Sequence, residues 1–508
     1  MNTLIKLKRT FRACPKSLIV LLVTEIPELF GRFGIMTTIA LYLTKNLHQT
    51  DATAVMLFST YLMLAAMSPM IGGYIADRLL GYKPAIVIGA CIMIIGDILM
   101  VIPSMHMLYL GLAILVSGVG LFSPSLAALV SHLYKDKDQQ RDNAFVAYYV
   151  SKNIGALLAP PICGVIGVLY GYHYCFLLTS MGMCLGLLVF LLNYHHVPDI
   201  RPKKNSTHHP AANNTVQQYI QKNKISSVLL IAASIACFAS MVLIYNLRLE
   251  LLGLSVIVMM VVLTRLFKQS TLQQRRNLGY ILITLMASIA FLAMNQLCGA
   301  SFNLFVERII DRHYLGFNIP TSVFYSIDPL FMIIFGAGIA KLLSQCTKPN
   351  YIIASFSKFS MAMFIFSMAM LTFVMAAYQG TKTGSASGLY VVICYSLCAT
   401  SELCIAPIAL SLVTKLAPNG QTGLIVGLYT FGEAVASFIT GAIAKSGDIN
   451  FSIHSLHSKK MAAGIYQNLF SHLSIALLLA GILMVSVRGL LISYQKKTSF
   501  TTLSRGTL

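Results

Sequence analysis

Apolar blocks about twenty residues long recur along the whole chain, and no other feature constrains its fold as tightly. A helix of about 20 apolar residues crosses the hydrocarbon core of a bilayer. Candidate spans run Ser17–Leu43, Ala54–Leu79, Pro84–Ile102, Leu108–Leu133, Asn143–Leu169 and Cys175–Tyr194. A polar stretch, His195 to Lys224, separates these six from a pair at Ser226–Tyr245 and Leu251–Phe267. Six more follow at Leu278–Val306, Thr321–Leu343, Ile352–Ala377, Gly388–Lys415, Thr422–Ala444 and Gln467–Leu490. The pattern predicts an all-α polytopic membrane protein. Its 508 residues are 57% hydrophobic and 10% charged, whereas a soluble protein carries about 25% charged residues. That balance excludes a soluble enzyme, a nucleic-acid-binding module and a secreted disulfide scaffold as readings of the whole chain.

The expected organisation is a six-helix half over residues 1–194 and a cytoplasmic linker over 195–225. An inserted helix pair over 226–277 and a second six-helix half with its tail over 278–508 complete about fourteen spans. The net charge of +21 reads as basic inside loops that set orientation, not as a nucleic-acid site. The loops at Lys135/Lys137/Arg141, Arg275/Arg276 and Lys341/Lys348, the linker and the Lys496/Lys497 tail then fall inside. The loops around Asn318 and Gln379 fall outside, and the outside loop Lys445 to Lys460, with three lysines, breaks the rule. Met1 to Lys16 is basic and leads into a long apolar stretch, so it reads as a cytoplasmic N-terminus and not a cleaved signal. The eleven cysteines are scattered, and His195, His196, His208 and His209 fit no closed metal site. No metal and no cofactor beyond a proton gradient is expected. Two six-helix halves joined by a linker is the layout of major facilitators, which bind substrate between the halves at the bilayer midplane.

Motifs sharpen this. Between the second and third spans lies Gly73-Tyr-Ile-Ala-Asp77-Arg78-Leu-Leu-Gly81-Tyr-Lys83. Its glycines allow close helix approach and a tight reversal, and Asp77 and Arg78 can form a conformational latch. The longer string Gly72 to Gly96, the element Tyr149-Val-Ser-Lys152-Asn153-Ile-Gly155, and Ser401-Glu402 running through Pro407 to Pro418 resemble the proton-dependent oligopeptide transporter family. Weaker echoes are Asn295-Gln296 with Gly299, Ser326-Ile-Asp328-Pro329, and Gly427-Leu-Tyr429. The resemblance covers nearly the whole chain and implies proton-coupled symport of di- or tripeptides or related zwitterions, through a bacterial inner membrane, by a monomer. It implies substrate contacts at Glu402, Asn153, Gln296 and Tyr149, and proton coupling through Glu25, Glu28 and Glu402.

Two departures bear on mechanism. The family's first helix reads E-x-x-E-R, and here Leu29 follows Glu28; its fourth helix reads K-P-N, and here Ser123-Pro124-Ser125 stands instead. Both family cations are missing from their places. Glu25, Glu28 and Arg32 share one helix face by their spacing, and Lys152 lies on the fifth span. Ionisable groups within a bilayer face a cavity or a partner. Arg32 and Lys152 are therefore expected to supply the lost positive charge and to bind substrate. Tyr148 and Tyr149 read equally well as packing aromatics, and Asp97 and Glu433 as structural or water contacts. Two rival readings remain: a same-fold carrier or exporter of an amine or amino-acid-like solute, and a non-transporting membrane receptor or assembly protein.

Overall fold

The computed structural model describes residues 16–133, 138–198, 260, 263–299, 301–314, 316–345, 351–417, 422–444 and 455–505. Contacts divide the chain into two compact units, Met1–Gln49 with Thr60–Leu249, and Thr50–Ser59 with Glu250–Leu508. The expected linker beyond residue 198, and the expected inserted helix pair up to residue 259, lie outside the described residues.

The first unit is built from α1 (Lys16–Leu41), α2 (Asp51–Ile75, whose residues up to Ser59 fall in the second unit), α3 (Tyr82–Val101), α4 (Met105–His132), α5 (Asp138–Leu169) and α6 (His173–Leu192). Beyond α2 the chain makes a π-helical turn, Ala76–Leu80, and reverses at Gly81, whose φ of 82° is one that side-chain-bearing residues avoid. A Cβ on Gly89 would lie 2.9 Å from the Gly118 carbonyl oxygen, and one on Gly96 would lie 2.8 Å from that of Gly111. Helices α3 and α4 therefore meet backbone to backbone, as small residues permit between membrane helices. The close-approach role expected of Gly73 falls to its neighbour: a Cβ on Gly72 would stand 2.1 Å from the Gly120 oxygen, against 3.7 Å from Pro124 for Gly73. Lys83 is buried, and its Nζ donates to the carbonyls of Tyr194 (2.7 Å) and Val197 (2.9 Å) above the Tyr194 ring. This charge satisfies backbone carbonyls of the turn that follows α6.

In the second unit a helical stretch, residues 263–269, precedes α7 (Leu272–Asn295). A 3₁₀ turn, Gln296–Gly299, leads to α8 (Ser301–Ile309). Then come the turn Thr321–Ser326, α9 (Ile327–Gln345), α10 (Tyr351–Thr383), α11 (Leu389–Leu416), α12 (Thr422–Ala444) and α13 (Leu456–Arg505). Short β pairs close one end. β1 (Ile310–Asp311) runs parallel to β4 (Ala386–Ser387), and β2 (His313–Tyr314) antiparallel to β3 (Phe317–Asn318). The core is aromatic: Phe305 and Phe470 lie 4.9 Å apart between centroids, and Phe302, Phe373 and Tyr466 pack around them. Within this unit Arg308 grips both oxygens of Asp51 and also donates to the Tyr466 hydroxyl.

Several boundaries differ from the expectation. The span expected over Leu278–Val306 is interrupted by the 3₁₀ turn that starts at Gln296, where the side chains of Asn295 and Gln296 take partners outside their own helix. Arg275 and Arg276, expected in a loop, lie in the first turns of α7, which starts at a capping box between Thr271 and Gln274. Lys459 and Lys460 likewise belong to α13, and Gln379 to α10.

Among the described residues nine helices are long and apolar enough to cross a membrane. Helix α1 is as long, but it carries Glu25, Glu28 and Arg32 in its middle. Large apolar side chains also cover outer faces, as Met181, Leu185, Leu188 and Leu192 do on α6. Only lipid makes such a face inexpensive. The protein is integral to a membrane.

Candidate functional site

In the first unit the two acids of α1 are buried, Glu25 at 0% and Glu28 at 1% exposure. Each is met by a cation. Arg32 donates to Glu28 Oε1 from Nη2 at 2.5 Å and from Nε at 3.1 Å. The spacing of four residues on one helix brings them together, as the sequence implies. The Ser123 hydroxyl completes this corner, 3.5 Å from Arg32 Nη2 and 3.4 Å from Glu28 Oε1. Arg32 thus stands beside the position where the family's fourth-helix lysine would be.

Glu25 is held from α5. Lys152 Nζ lies 3.4 Å from its Oε1, and the Tyr148 hydroxyl donates to the same oxygen at 2.7 Å. Lys152 also sits over the Tyr148 ring, 4.7 Å from its centroid. Each carboxylate keeps a second oxygen without a hydrogen-bond partner. A buried acid is costly without compensation, so these two pairs are the stabilising contacts of the site. A narrow cavity beside them is lined by Glu28, Arg32, Tyr61, Met93, Asp97 and Thr179.

The remaining candidates fall less centrally. Asn153 is buried and donates to the backbone of Tyr149 at 2.9 Å. Tyr149 itself is 44% exposed, and its neighbour Tyr148 is the tyrosine that reaches an acid. Leu29, where the family has arginine, is buried at the seam with α5: a Cβ on Gly155 would lie 3.1 Å from its Cβ. The side chains of Asp77 and Arg78 lie outside the described residues.

In the second unit Glu402 projects from α11, and its Oε2 accepts from Asn295 Nδ2 at 2.9 Å. Among the described residues no cation pairs with it. Its electrostatic neighbours, Asp328 and Glu433, are also acids. Gln296 is engaged elsewhere, accepting from the Thr440 hydroxyl at 3.4 Å. The break in α7 therefore aims two adjacent amides at different partners, one at an acid and one at α12. Discontinuous helices of this kind form binding sites in transporters. Sequence reasoning did not identify Tyr61 or the Asn295 contact. Polar-tipped side chains in otherwise apolar spans were the available signal for both.

A family model described as the POT family matches residues 83–452. The chain is 25% identical to the Dipeptide and tripeptide permease B of Xenorhabdus bovienii (strain SS-2004) over 476 residues, covering 92% of this chain and 94% of the permease. It is 28% identical to the uncharacterized transporter YclF of Bacillus subtilis (strain 168) over 450 residues, covering 86% and 89%. Among solved structures, tetrameric PepTSo2 superposes with a TM-score of 0.80 at 21% identity, covering 94% of this chain and 99% of that one. A peptide transporter POT crystallised with alafosfalin gives 0.77 at 23% identity, covering 93% and 94%. The all-helical fold expected from the sequence is the fold of these major facilitator-type transporters. Family and relatives are transporters, not enzymes.

Proposed function

Because the chain belongs to the POT family, we propose that it carries di- or tripeptides, or closely related zwitterions, in symport with protons. The observation that carries this reading is the placement of Arg32. It lies against Ser123 and Glu28, so positive charge is kept where the family's missing lysine would supply it. Lys152 does the same for Glu25. In this reading Arg32 and Lys152 serve the substrate carboxylate and Glu402 its ammonium group, with Asn153, Gln296 and Tyr149 adding polar contacts. Glu25, Glu28 and Glu402 exchange partners as protons arrive. A ligand or proton shifts a two-state equilibrium only by binding one state better, and an acid that trades a protein cation for a proton meets that requirement. Asp77 and Arg78 act as the latch. No cofactor beyond the proton gradient is involved. The site belongs to a carrier of a bacterial inner membrane with both termini in the cytoplasm, working as a monomer.

A second reading has one observation in its favour. Both cations are already committed to Glu28 and Glu25, so a substrate carboxylate must compete with those pairs. An amine or amino-acid-like solute without that demand fits Glu402 alone. Labelled dipeptide and labelled amine flux into liposomes under an imposed pH gradient separates the two. Gradient-driven dipeptide uptake supports the peptide symporter. Amine flux without peptide flux supports the second reading, and flux of neither overturns both.

A further inference from the structure

Asp97 is a buried carboxyl outside the Glu25–Lys152 and Glu28–Arg32 pairs. It lies on α3 at 2% exposure, and its Oδ1 has no hydrogen-bond partner. Among the described residues no cation pairs with it. Its position is fixed by its neighbour, since a Cβ on Gly96 would stand 2.8 Å from both the Gly111 oxygen and the Leu115 nitrogen. Helix α3 cannot turn away without breaking that seam. Asp97 is thus held facing the cavity that Glu28 and Arg32 also line.

Thr179 lines the same cavity, and its hydroxyl donates to the Phe176 carbonyl at 2.9 Å. A buried carboxyl that no cation meets is far less costly neutral than charged, so Asp97 is expected to carry a proton.

The charged and titratable groups facing Asp97 are few. Helix α1 presents Glu28 and Arg32, and α2 presents Tyr61, which lies within electrostatic range of all three. Helix α5 presents the Cys163 thiol, and α6 contributes Thr179 and Cys175, the latter bonded to the Cys163 carbonyl at 3.0 Å. From α4 come only Leu115 and Val119. Arg32 is the only cation among these groups, and it is held by Glu28.

We propose that Asp97 is a second proton-carrying carboxyl of the first unit, exchanging its proton with Glu28 across the cavity they share. When the proton leaves Asp97 and binds Glu28, Glu28 becomes neutral and releases Arg32. Asp97 becomes the anion in the cavity that Arg32 also lines. The total charge of the three groups does not change, so the proton moves without adding charge to the cavity.

The inference rests on the proton-coupled reading above, and its test keeps the two separable. Infrared spectra of the purified full chain at neutral pH should show the carbonyl stretch of a protonated carboxyl that is absent in Asp97→Asn and shifted in Asp97→Glu. In liposomes, Asp97→Asn should lower the ratio of gradient-driven uptake to gradient-free exchange by at least about fivefold, the low end of usual coupling factors. An unchanged carbonyl band in Asp97→Asn would overturn the proposal, as would an unchanged ratio. If Asp97→Asn fails to fold, the band position in Asp97→Glu decides. If the wild type shows no gradient-driven flux of any solute yet loses the band in Asp97→Asn, symport is refuted while the protonated carboxyl stands.

Discussion

Lys152 and Glu25 come from different helices and meet at 3.4 Å, with the Tyr148 hydroxyl on the same carboxylate oxygen at 2.7 Å. The pairing links α1 to α5 through a fully buried acid. Removing one partner of a buried pair leaves the other uncompensated, at a cost of about 3–5 kcal/mol when both are buried and less here because Lys152 is part-exposed. Lys152→Gln should therefore lower the thermal midpoint of the detergent-solubilised protein and cut uptake at least about tenfold, the factor given by ~1.4 kcal/mol. Lys152→Arg should restore part of both. Unchanged uptake in Lys152→Gln would remove Lys152 from the site.

Arg32 and Ser123 give a charge-transplant test. Arg32→Leu leaves Glu28 without its cation and should abolish pH-dependent uptake while membrane levels stay similar. Ser123→Lys alone places a second cation beside Arg32 and should also lower uptake, since like charges at about 4 Å repel by several kcal/mol at an effective dielectric of 20. The double variant moves the cation from α1 to α4 and should transport better than either single one. Uptake in the double variant at or below the worse single variant would refute a shared position.

Leu29→Arg would put back the family's arginine in sequence, but the side chain points into the seam with Gly155. The expected outcome is loss of folded protein, read as aggregation in size-exclusion chromatography, and no gain in peptide affinity. A well-folded variant that binds dipeptide more tightly would show that position 29 can reach the cavity.

Glu402 calls for a two-by-two measurement. Glu402→Gln keeps the shape and the Asn295 contact but removes the charge, so it should weaken binding of amine-bearing substrates at least about tenfold, or ~1.4 kcal/mol. N-acetylation of the ligand should cost the wild type as much and the variant little further. Contacting groups couple and independent ones add. Simple additivity in binding would mean that Glu402 does not meet the ammonium group.

Lys83 offers a purely structural control. Lys83→Met keeps the aliphatic stem and removes the donor to the Tyr194 and Val197 carbonyls. Each lost charge-assisted bond is worth about 1.5–3 kcal/mol, so the thermal midpoint should fall while the pH profile of uptake among surviving molecules keeps its shape. A shifted profile would give Lys83 a role in coupling.

The sequence by itself determined that this chain is a helical membrane protein, because helix length and apolarity are local properties set by bilayer thickness. It also determined that Arg32 would reach Glu28, since both lie one turn apart on α1. The tertiary structure decided the rest. That Lys152 serves Glu25, that Asn295 and not Gln296 reaches Glu402, and that Asp97 faces the cavity of Glu28 all depend on how helices rotate against one another. Rotation is set by close contacts such as Gly96 on Gly111 and Gly72 on Gly120. Those contacts join residues far apart in the chain, and in a uniformly apolar helix no polar face announces which side will turn inward.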